Sequence, residues 1–103
     1  MSSAGCSAMD DVASAELLQT LRRDLDAVDE EIMAALVRRM TLARAIGACK
    51  QQAGQPVLDP KREASVVARA ATRARDAGLP EQDVRALYWQ LMALARRAQM
   101  DGR

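Results

Sequence analysis

The longest helical pattern in the chain covers residues 14–52, which read SAELLQTLRRDLDAVDEEIMAALVRRMTLARAIGACKQQ. Its apolar side chains recur in alternating steps of three and four residues, the spacing of one face of an α-helix. This apolar stripe consists of Leu18, Leu21, Leu25, Val28, Ile32, Ala35, Leu42 and Ile46. Ser14 is a suitable N-cap, and a single glycine, Gly47, weakens a helix without ending it. The pattern therefore predicts one long first helix over residues 14–52.

This predicted helix is too long for a chain of 103 residues to cover. At a rise of about 1.5 Å per residue it would measure roughly 58 Å, whereas a compact domain of this size has a radius of gyration of about 13 Å. Apolar surface left in water costs about 25 cal/mol per Å². We therefore expect a second copy of the chain to cover the stripe, in an obligate homodimer whose stability depends on protomer concentration.

Two short turns divide the rest of the chain into two further helices. The first turn, AGQP at residues 53–56, is followed by Asp59-Pro60, which places an N-cap residue before a proline at the first helical position. We predict the second helix over 60–76 and the third over 80–100, with the turn AGLP between them.

The composition also favours helices over strands. Half of the chain is hydrophobic, but Tyr88 and Trp89 are its only aromatic residues and Phe is absent, so the core is expected to consist of Leu, Ile, Val, Met and Ala. We predict an all-α fold with three helices per chain in a single domain over 14–103. Residues 1–13 are expected to be a disordered leader, and Met9 is an alternative start of the protein.

The composition argues against several classes of function. A net charge of +1, from 15 basic and 14 acidic residues, does not fit general nucleic-acid binding. The absence of His excludes His-based catalysis and His metal ligands. Cys6 and Cys49 form no CxxC pair and indicate free thiols in a reducing compartment. With no signal peptide and no apolar run of roughly 20 residues, we expect a cytoplasmic protein that does not enter the membrane.

Charged residues lie on or near the apolar face of the first helix. Arg39 occupies a stripe position between Ala35 and Leu42, where an unpaired buried charge would cost several kcal/mol. Lys50 lies close to the same face, and Arg22 lies near the other end. Each residue alone also fits an ordinary role, since Arg22 could be solvated, Arg39 could extend its head group to water, and Lys50 could favour the helix C-terminus.

The other two predicted helices add further charged and polar residues. Lys61-Arg62-Glu63 follows Asp59 at the start of the second helix, and Gln99 follows Ala95 by four residues on the third. Gln99 alone could equally be an exposed residue in a frayed turn. Taken together with the charges of the first helix, these residues predict a cationic pocket for a ligand with two carboxylates, because the planar fork of Arg binds carboxylates bidentately.

The chain resembles the AroQ-type chorismate mutases, the all-helical class, over residues 17–99. The resemblance rests on an ordered set of short motifs: LRRDLDAVDEEI at 21–32, the two arginines at 38–39, IGxxK at 46–50 and PVxDxxRE at 56–63. It implies three helices per chain in an intertwined homodimer that pairs through the long first helix. It also implies two active sites per dimer, each built mainly from one chain with one Arg from the other.

The resemblance assigns the carboxylates of a small dianionic substrate to arginine residues. Arg22 of the partner chain would bind one carboxylate, Arg39 would bind a carboxylate in its own chain's site, and Arg62 would support the pocket. Ala95 stands where the family often has a Ser in contact with a substrate carboxylate. The missing hydrogen bond, worth about 0.5–1.5 kcal/mol, should weaken substrate binding without abolishing the chemistry.

The remaining roles concern the ether oxygen and the hydroxyl of the substrate. By resemblance, Lys50 and Gln99 would contact the ether oxygen, so the catalytic residues would be Lys50, Gln99 and Arg39. Asp59, through its backbone amide, and Glu63 would recognise the hydroxyl. The implied reaction is the rearrangement of chorismate to prephenate, an isomerisation in the shikimate pathway of aromatic amino acid biosynthesis that needs no metal and no cofactor.

Several alternatives remain open at the level of sequence. Two share the fold, namely 4-amino-4-deoxychorismate mutase and isochorismate pyruvate-lyase. Asp59 and Glu63 favour a hydroxyl on the substrate, but a carboxylate could also receive an ammonium. A non-catalytic helical dimerisation module would explain the long stripe, although not why Arg39 interrupts it. Regulation by another pathway enzyme and a role in primary or specialised metabolism are equally open.

Overall fold

The computed structural model describes residues 8–101, which form three α-helices joined by two turns. Helix α1 is Ala8–Gln52, helix α2 is Pro60–Asp76 and helix α3 is Glu81–Asp101. The described residues include no strand, so the prediction of an all-α fold with three helices per chain is confirmed. Over the same residues, none of the helices combines the length and the apolar character that crossing a bilayer requires.

Helix α1 begins earlier than predicted. It begins at Ala8, so Ser14 is not its N-cap, and the prediction of a disordered leader is wrong for residues 8–13. Asp10 and Asp11 in the first turn interact favourably with the partial positive charge at the helix N-terminus. Ala8 and Ala13 also favour the early start, because alanine is the best helix former. The rest of the predicted leader, residues 1–7, lies outside the described residues.

Helix α2 begins and ends where the sequence predicts. The Asp59 carboxylate accepts a hydrogen bond from the Arg62 backbone N–H at 3.0 Å, which makes Asp59 the N-cap. At the other end, Gly78 has a φ of +76°, and the Leu79 N–H donates to the Ala74 carbonyl at 2.8 Å. This is a Schellman motif, in which a glycine in the left-handed region ends the helix.

Helix α3 begins at Glu81, one residue after the predicted start at Pro80. The Val84 N–H donates to the Pro80 carbonyl at 3.1 Å, so Pro80 accepts the first helical hydrogen bond while lying just before the helix. The helix ends at Asp101, one residue later than predicted. Each difference is a single residue, and the last residues of a helix commonly fray.

The chain divides into two compact units, Met1–Leu36 and Val37–Arg103. The first unit contains the N-terminal part of α1, and all its described larger apolar side chains except Leu36 are exposed. Leu18, Leu21, Leu25, Val28 and Ile32, which belong to the predicted stripe, have exposed fractions between 45% and 61%. This part of the helix therefore presents an uncovered apolar stripe.

The second unit contains α2, α3 and the C-terminal part of α1, and its core consists mainly of small side chains. The buried hydrophobic residues among those described are Ala43, Val67, Ala70, Ala71, Ala74, Met92, Ala95 and Ala98. Large aliphatic residues expected in the core stay exposed, with Leu42 at 59% and Ile46 at 48%. The reason is that alanine and glycine face α3, which lets the helix backbones approach closely.

Candidate active site

A cleft of about 470 Å³ opens in the second unit, between the C-terminal part of α1 and the other two helices. Its volume lies within the range of about 300–1,000 Å³ that is typical of small-molecule sites. It is lined by Arg39, Leu42, Ala43, Ile46, Lys50, Val57, Asp59, Arg62, Glu63, Val66, Met92, Ala95 and Gln99. The fold thus brings together every predicted site residue except Arg22, which is an exposed residue of the first unit.

Lys50 and Gln99 meet at one point of this cleft. Lys50, in the last turn of α1, donates from Nζ to the Val57 carbonyl at 2.9 Å and to Gln99 Oε1 at 3.3 Å. An ammonium has three donors, so one N–H is left for a ligand. Because Gln99 turns its oxygen to Lys50, its amide nitrogen is also a donor. The two side chains thus offer hydrogen-bond donors side by side, an arrangement that can stabilise an oxygen that gains negative charge.

The placement of Gln99 depends on Gly47. Gly47 is buried, and an added Cβ would lie only 2.8 Å from the Gln99 Cα and 2.9 Å from its carbonyl carbon. Helices α1 and α3 are therefore in backbone contact one turn before Lys50. From the sequence, Gly47 is only a weak point of the helix, and its contact with Gln99 is not predicted. The available signal was an isolated glycine inside an otherwise regular helical pattern.

Arg39 and Arg62 supply two guanidinium groups to the cleft. Arg39 is half-buried, whereas the stripe residues Leu42 and Ile46 that follow it are exposed. Within residues 8–101, neither side chain has an ion-pair partner. Both groups can therefore bind an anionic ligand, and the planar fork of each matches a carboxylate.

Asp59 and Glu63 bring two carboxylates to the start of α2. The Asp59 side chain caps the helix, and its backbone carbonyl accepts from the Glu63 N–H at 3.0 Å. Glu63 is the more buried of these two residues. Its Oε1 accepts from Arg96 Nη1 at 2.6 Å, and the Glu63 side chain is 15% exposed. The pair is a short charge-assisted hydrogen bond.

Arg96 is a residue that sequence reasoning missed. It pairs with a side chain 33 positions away, and nothing in local spacing shows which residues of α2 and α3 meet. One signal was present: Arg96 lies four residues after Met92 and three before Gln99, so on α3 it is a neighbour of two residues that line the cleft.

Ala95 forms part of the cleft wall. It is 7% exposed and packs against Ala43 and Ala98. Its methyl group offers no hydrogen bond to a ligand, as expected from the sequence.

Comparison with known proteins identifies the family of the chain. The family model described as chorismate mutase type II matches residues 21–100. The 4-amino-4-deoxychorismate mutase of Streptomyces venezuelae is 39% identical over 71 residues, which are 69% of this chain and 69% of the relative. The T-protein of Enterobacter agglomerans is 35% identical over 63 residues, which are 61% of this chain and 17% of the relative.

A third relative is the bifunctional chorismate mutase/prephenate dehydratase of Aquifex aeolicus, 41% identical over 51 residues, which are 50% of this chain and 14% of the relative. The chain thus spans less than a fifth of this protein and of the T-protein. No solved structure matches the chain significantly. The match of the family model over most of the three helices shows that the chain belongs to the chorismate mutase type II family.

Proposed function

We propose that this chain is a chorismate mutase, which converts chorismate to prephenate. In this rearrangement within one molecule, the ether C–O bond breaks while a new C–C bond forms. The observation that carries the proposal is the pair of donors formed by Lys50 and Gln99 in a cleft also lined by Arg39 and Arg62. The family of the chain supports the same conclusion.

Lys50 and Gln99 would stabilise the negative charge that develops on the ether oxygen. Lys50 is anchored to the Val57 carbonyl, so its ammonium needs little reorganisation when the charge appears. Donors that are in place before the reaction lower the barrier, because no free energy is spent on orienting them in the transition state.

Arg39 and Arg22 of the partner subunit would hold the two substrate carboxylates, and Arg62 would support the pocket. Three cationic side chains line the cleft, Arg39, Lys50 and Arg62, against the carboxylates of Asp59 and Glu63. Arg96 adds a fourth positive charge at Glu63. This surplus of positive charge suits a dianion. Binding both carboxylates would hold the flexible substrate in the compact conformer that brings the reacting carbons together.

Asp59 and Glu63 would recognise the substrate hydroxyl at the start of α2, Asp59 through its backbone amide. Among the residues described, the second oxygen of Glu63 has no hydrogen-bond partner and can accept from a hydroxyl. Ala95 leaves one carboxylate contact unmade, so we expect weaker substrate binding than a Ser at this position would give.

The active enzyme is proposed to be a homodimer. Two findings support this: the apolar stripe of α1 is exposed, and the buried core consists mostly of alanine. A core this small does not by itself stabilise a domain, and a second copy that covers the stripe would supply the missing apolar burial. Arg22 of the partner subunit would then complete the site by binding a carboxylate.

A cytoplasmic location is also proposed, and Cys49, a free and exposed thiol, fits a reducing compartment. Regulation by another pathway enzyme stays a prediction from the resemblance.

Purified protein tests the proposed activity directly. We expect chorismate to be consumed and prephenate to appear at a rate proportional to enzyme concentration. A bicyclic mimic of the transition state should raise the melting temperature, because a ligand that binds only the folded state stabilises it. A protein that converts none of chorismate, 4-amino-4-deoxychorismate and isochorismate, and that does not respond to the mimic, would instead be a non-catalytic dimerisation module.

One alternative has a specific observation in its favour. The Streptomyces venezuelae relative, which is similar over 69% of this chain, is named for 4-amino-4-deoxychorismate, a substrate with an amine in place of the hydroxyl. The same assay with this compound, and with isochorismate as a third substrate, separates the three activities of the shared fold.

A further inference from the structure

From the pairing of Arg96 with Glu63, we infer that Arg96 is a positioning residue that sets the cleft to accept a neutral hydroxyl rather than an ammonium on the substrate ring. The inference rests on the proposed function and names the substrate class within it. It concerns the choice between the two candidate substrates, chorismate and its 4-amino-4-deoxy relative.

Arg96 acts on the site through Glu63. Glu63 lines the cleft, whereas Arg96 does not. Arg96 Nη1 lies 2.6 Å from Glu63 Oε1, and the Glu63 side chain is 15% exposed while that of Arg96 is 41% exposed. The carboxylate is thus held and neutralised from outside the cleft. In this partly buried position the ion pair is screened less by salt than a surface pair would be.

The other carboxylate of the site is also engaged. Asp59 Oδ1 accepts a hydrogen bond from the backbone N–H of Arg62 at 3.0 Å and caps α2. The negative charge of Asp59 therefore interacts with the partial positive charge at the N-terminus of this helix. The cleft contains in addition the cationic side chains of Arg39, Lys50 and Arg62. The negative charge of Glu63 is therefore paired with Arg96, and that of Asp59 is partly offset by the helix N-terminus.

A hydroxyl and an ammonium place different demands on this site. A hydroxyl needs one acceptor, which the second oxygen of Glu63 supplies. An ammonium brings a full positive charge, which needs an uncompensated anion and is repelled by a guanidinium bound to the same carboxylate. Specificity is a difference between two binding free energies, and Arg96 lowers the affinity for the ammonium more than that for the hydroxyl.

The test compares the two substrates on the same preparation of each variant. We would measure kcat/KM for chorismate and for 4-amino-4-deoxychorismate with the wild type, Arg96→Gln and Arg96→Lys. The matched control is Arg97→Gln, which removes the same charge from the next, exposed position of α3. The ratio of the two kcat/KM values does not depend on the fraction of folded enzyme, so a loss of stability alone does not move it.

We expect the wild type to favour chorismate and Arg96→Gln to shift the ratio towards the amino substrate by about tenfold or more. Arg96→Lys should restore much of the wild-type ratio, and Arg97→Gln should leave it unchanged. If Arg96→Gln yields too little folded protein, Arg96→Met, which keeps the aliphatic stem, takes its place and is expected to shift the ratio in the same direction.

Two results would overturn the inference while leaving the proposed family of reactions intact. One is a wild type that prefers the amino substrate, and the other is a ratio that the neutral Arg96 variants do not change. A wild type that converts neither compound would instead overturn the proposed function and this inference with it.

Discussion

The backbone of Gly47 on α1 lies directly against the backbone of Gln99 on α3, closer than any Cβ at position 47 would allow. One turn further along α1, the Lys50 ammonium lies 3.3 Å from the Gln99 side-chain oxygen. The backbone contact therefore sets the distance between the two donors proposed to stabilise the ether oxygen. A substitution that separates the helices here would also separate the donors.

Gly47→Ala should destabilise the protein and lower kcat. In an exposed helix the same change stabilises by about 1 kcal/mol, because alanine is the better helix former. Here the added methyl would meet the Gln99 backbone, and overpacking of this kind costs about 1–3 kcal/mol. Urea unfolding and steady-state kinetics measure the two effects.

The control for Gly47→Ala is Ala45→Gly, at an exposed position of the same helix. It should reduce stability through helix propensity alone and leave kcat unchanged. A stabilised Gly47→Ala enzyme of normal activity would contradict the close contact between the two helices.

Lys50→Ala and Arg39→Ala should each lower kcat/KM on the substrate that the enzyme uses by about 100- to 1,000-fold, the usual cost of removing one preorganised donor. The matched control is Arg38→Ala, which removes a charge from the exposed neighbour of Arg39 and should be close to wild type. Circular dichroism checks that the variants remain helical. Near wild-type activity of Lys50→Ala would refute its assigned role.

Asp59→Ala should cost about 1 kcal/mol of stability, because α2 loses the side chain that caps its N-terminus. Asp59→Asn keeps an oxygen that can cap and should remain close to wild type in stability. Thermal unfolding of both variants shows whether Asp59 stabilises the protein through its capping hydrogen bond or through its negative charge. Equal destabilisation by Ala and Asn would mean that the negative charge, and not the hydrogen bond, matters here.

Leu25→Glu should shift the protein from dimer to monomer and abolish activity, because it places an unpaired charge in the proposed interface. Gln19→Glu introduces the same residue on the opposite side of α1 and serves as the control. Sedimentation at micromolar concentrations reports the assembly. A wild type that is monomeric at these concentrations would rule out a site completed by Arg22 of the partner subunit.

The helices themselves follow from local features of the sequence. The spacing of apolar residues predicts α1, and Asp59-Pro60 predicts the start of α2 at the residue where the structure has it. Gly78, in the left-handed region, likewise ends α2 where the sequence predicts. These features act between neighbours along the chain, so they can be recognised without knowing how the helices pack. The misplaced start of α1 also has a local explanation, since Ser14 is a good cap but the alanines before it favour a helix and Asp10 and Asp11 suit a first turn.

The composition of the candidate site was also predictable, because its motifs follow one another in a fixed order and every predicted residue except Arg22 lines the cleft. The pairs Gly47–Gln99 and Glu63–Arg96 were not. Each joins residues of two helices, and which side chains meet depends on how closely the helices pack and how each is rotated about its axis. The distance between two helices and the rotation of each about its axis result from the packing of the whole core. They cannot be predicted from the spacing of residues along one helix.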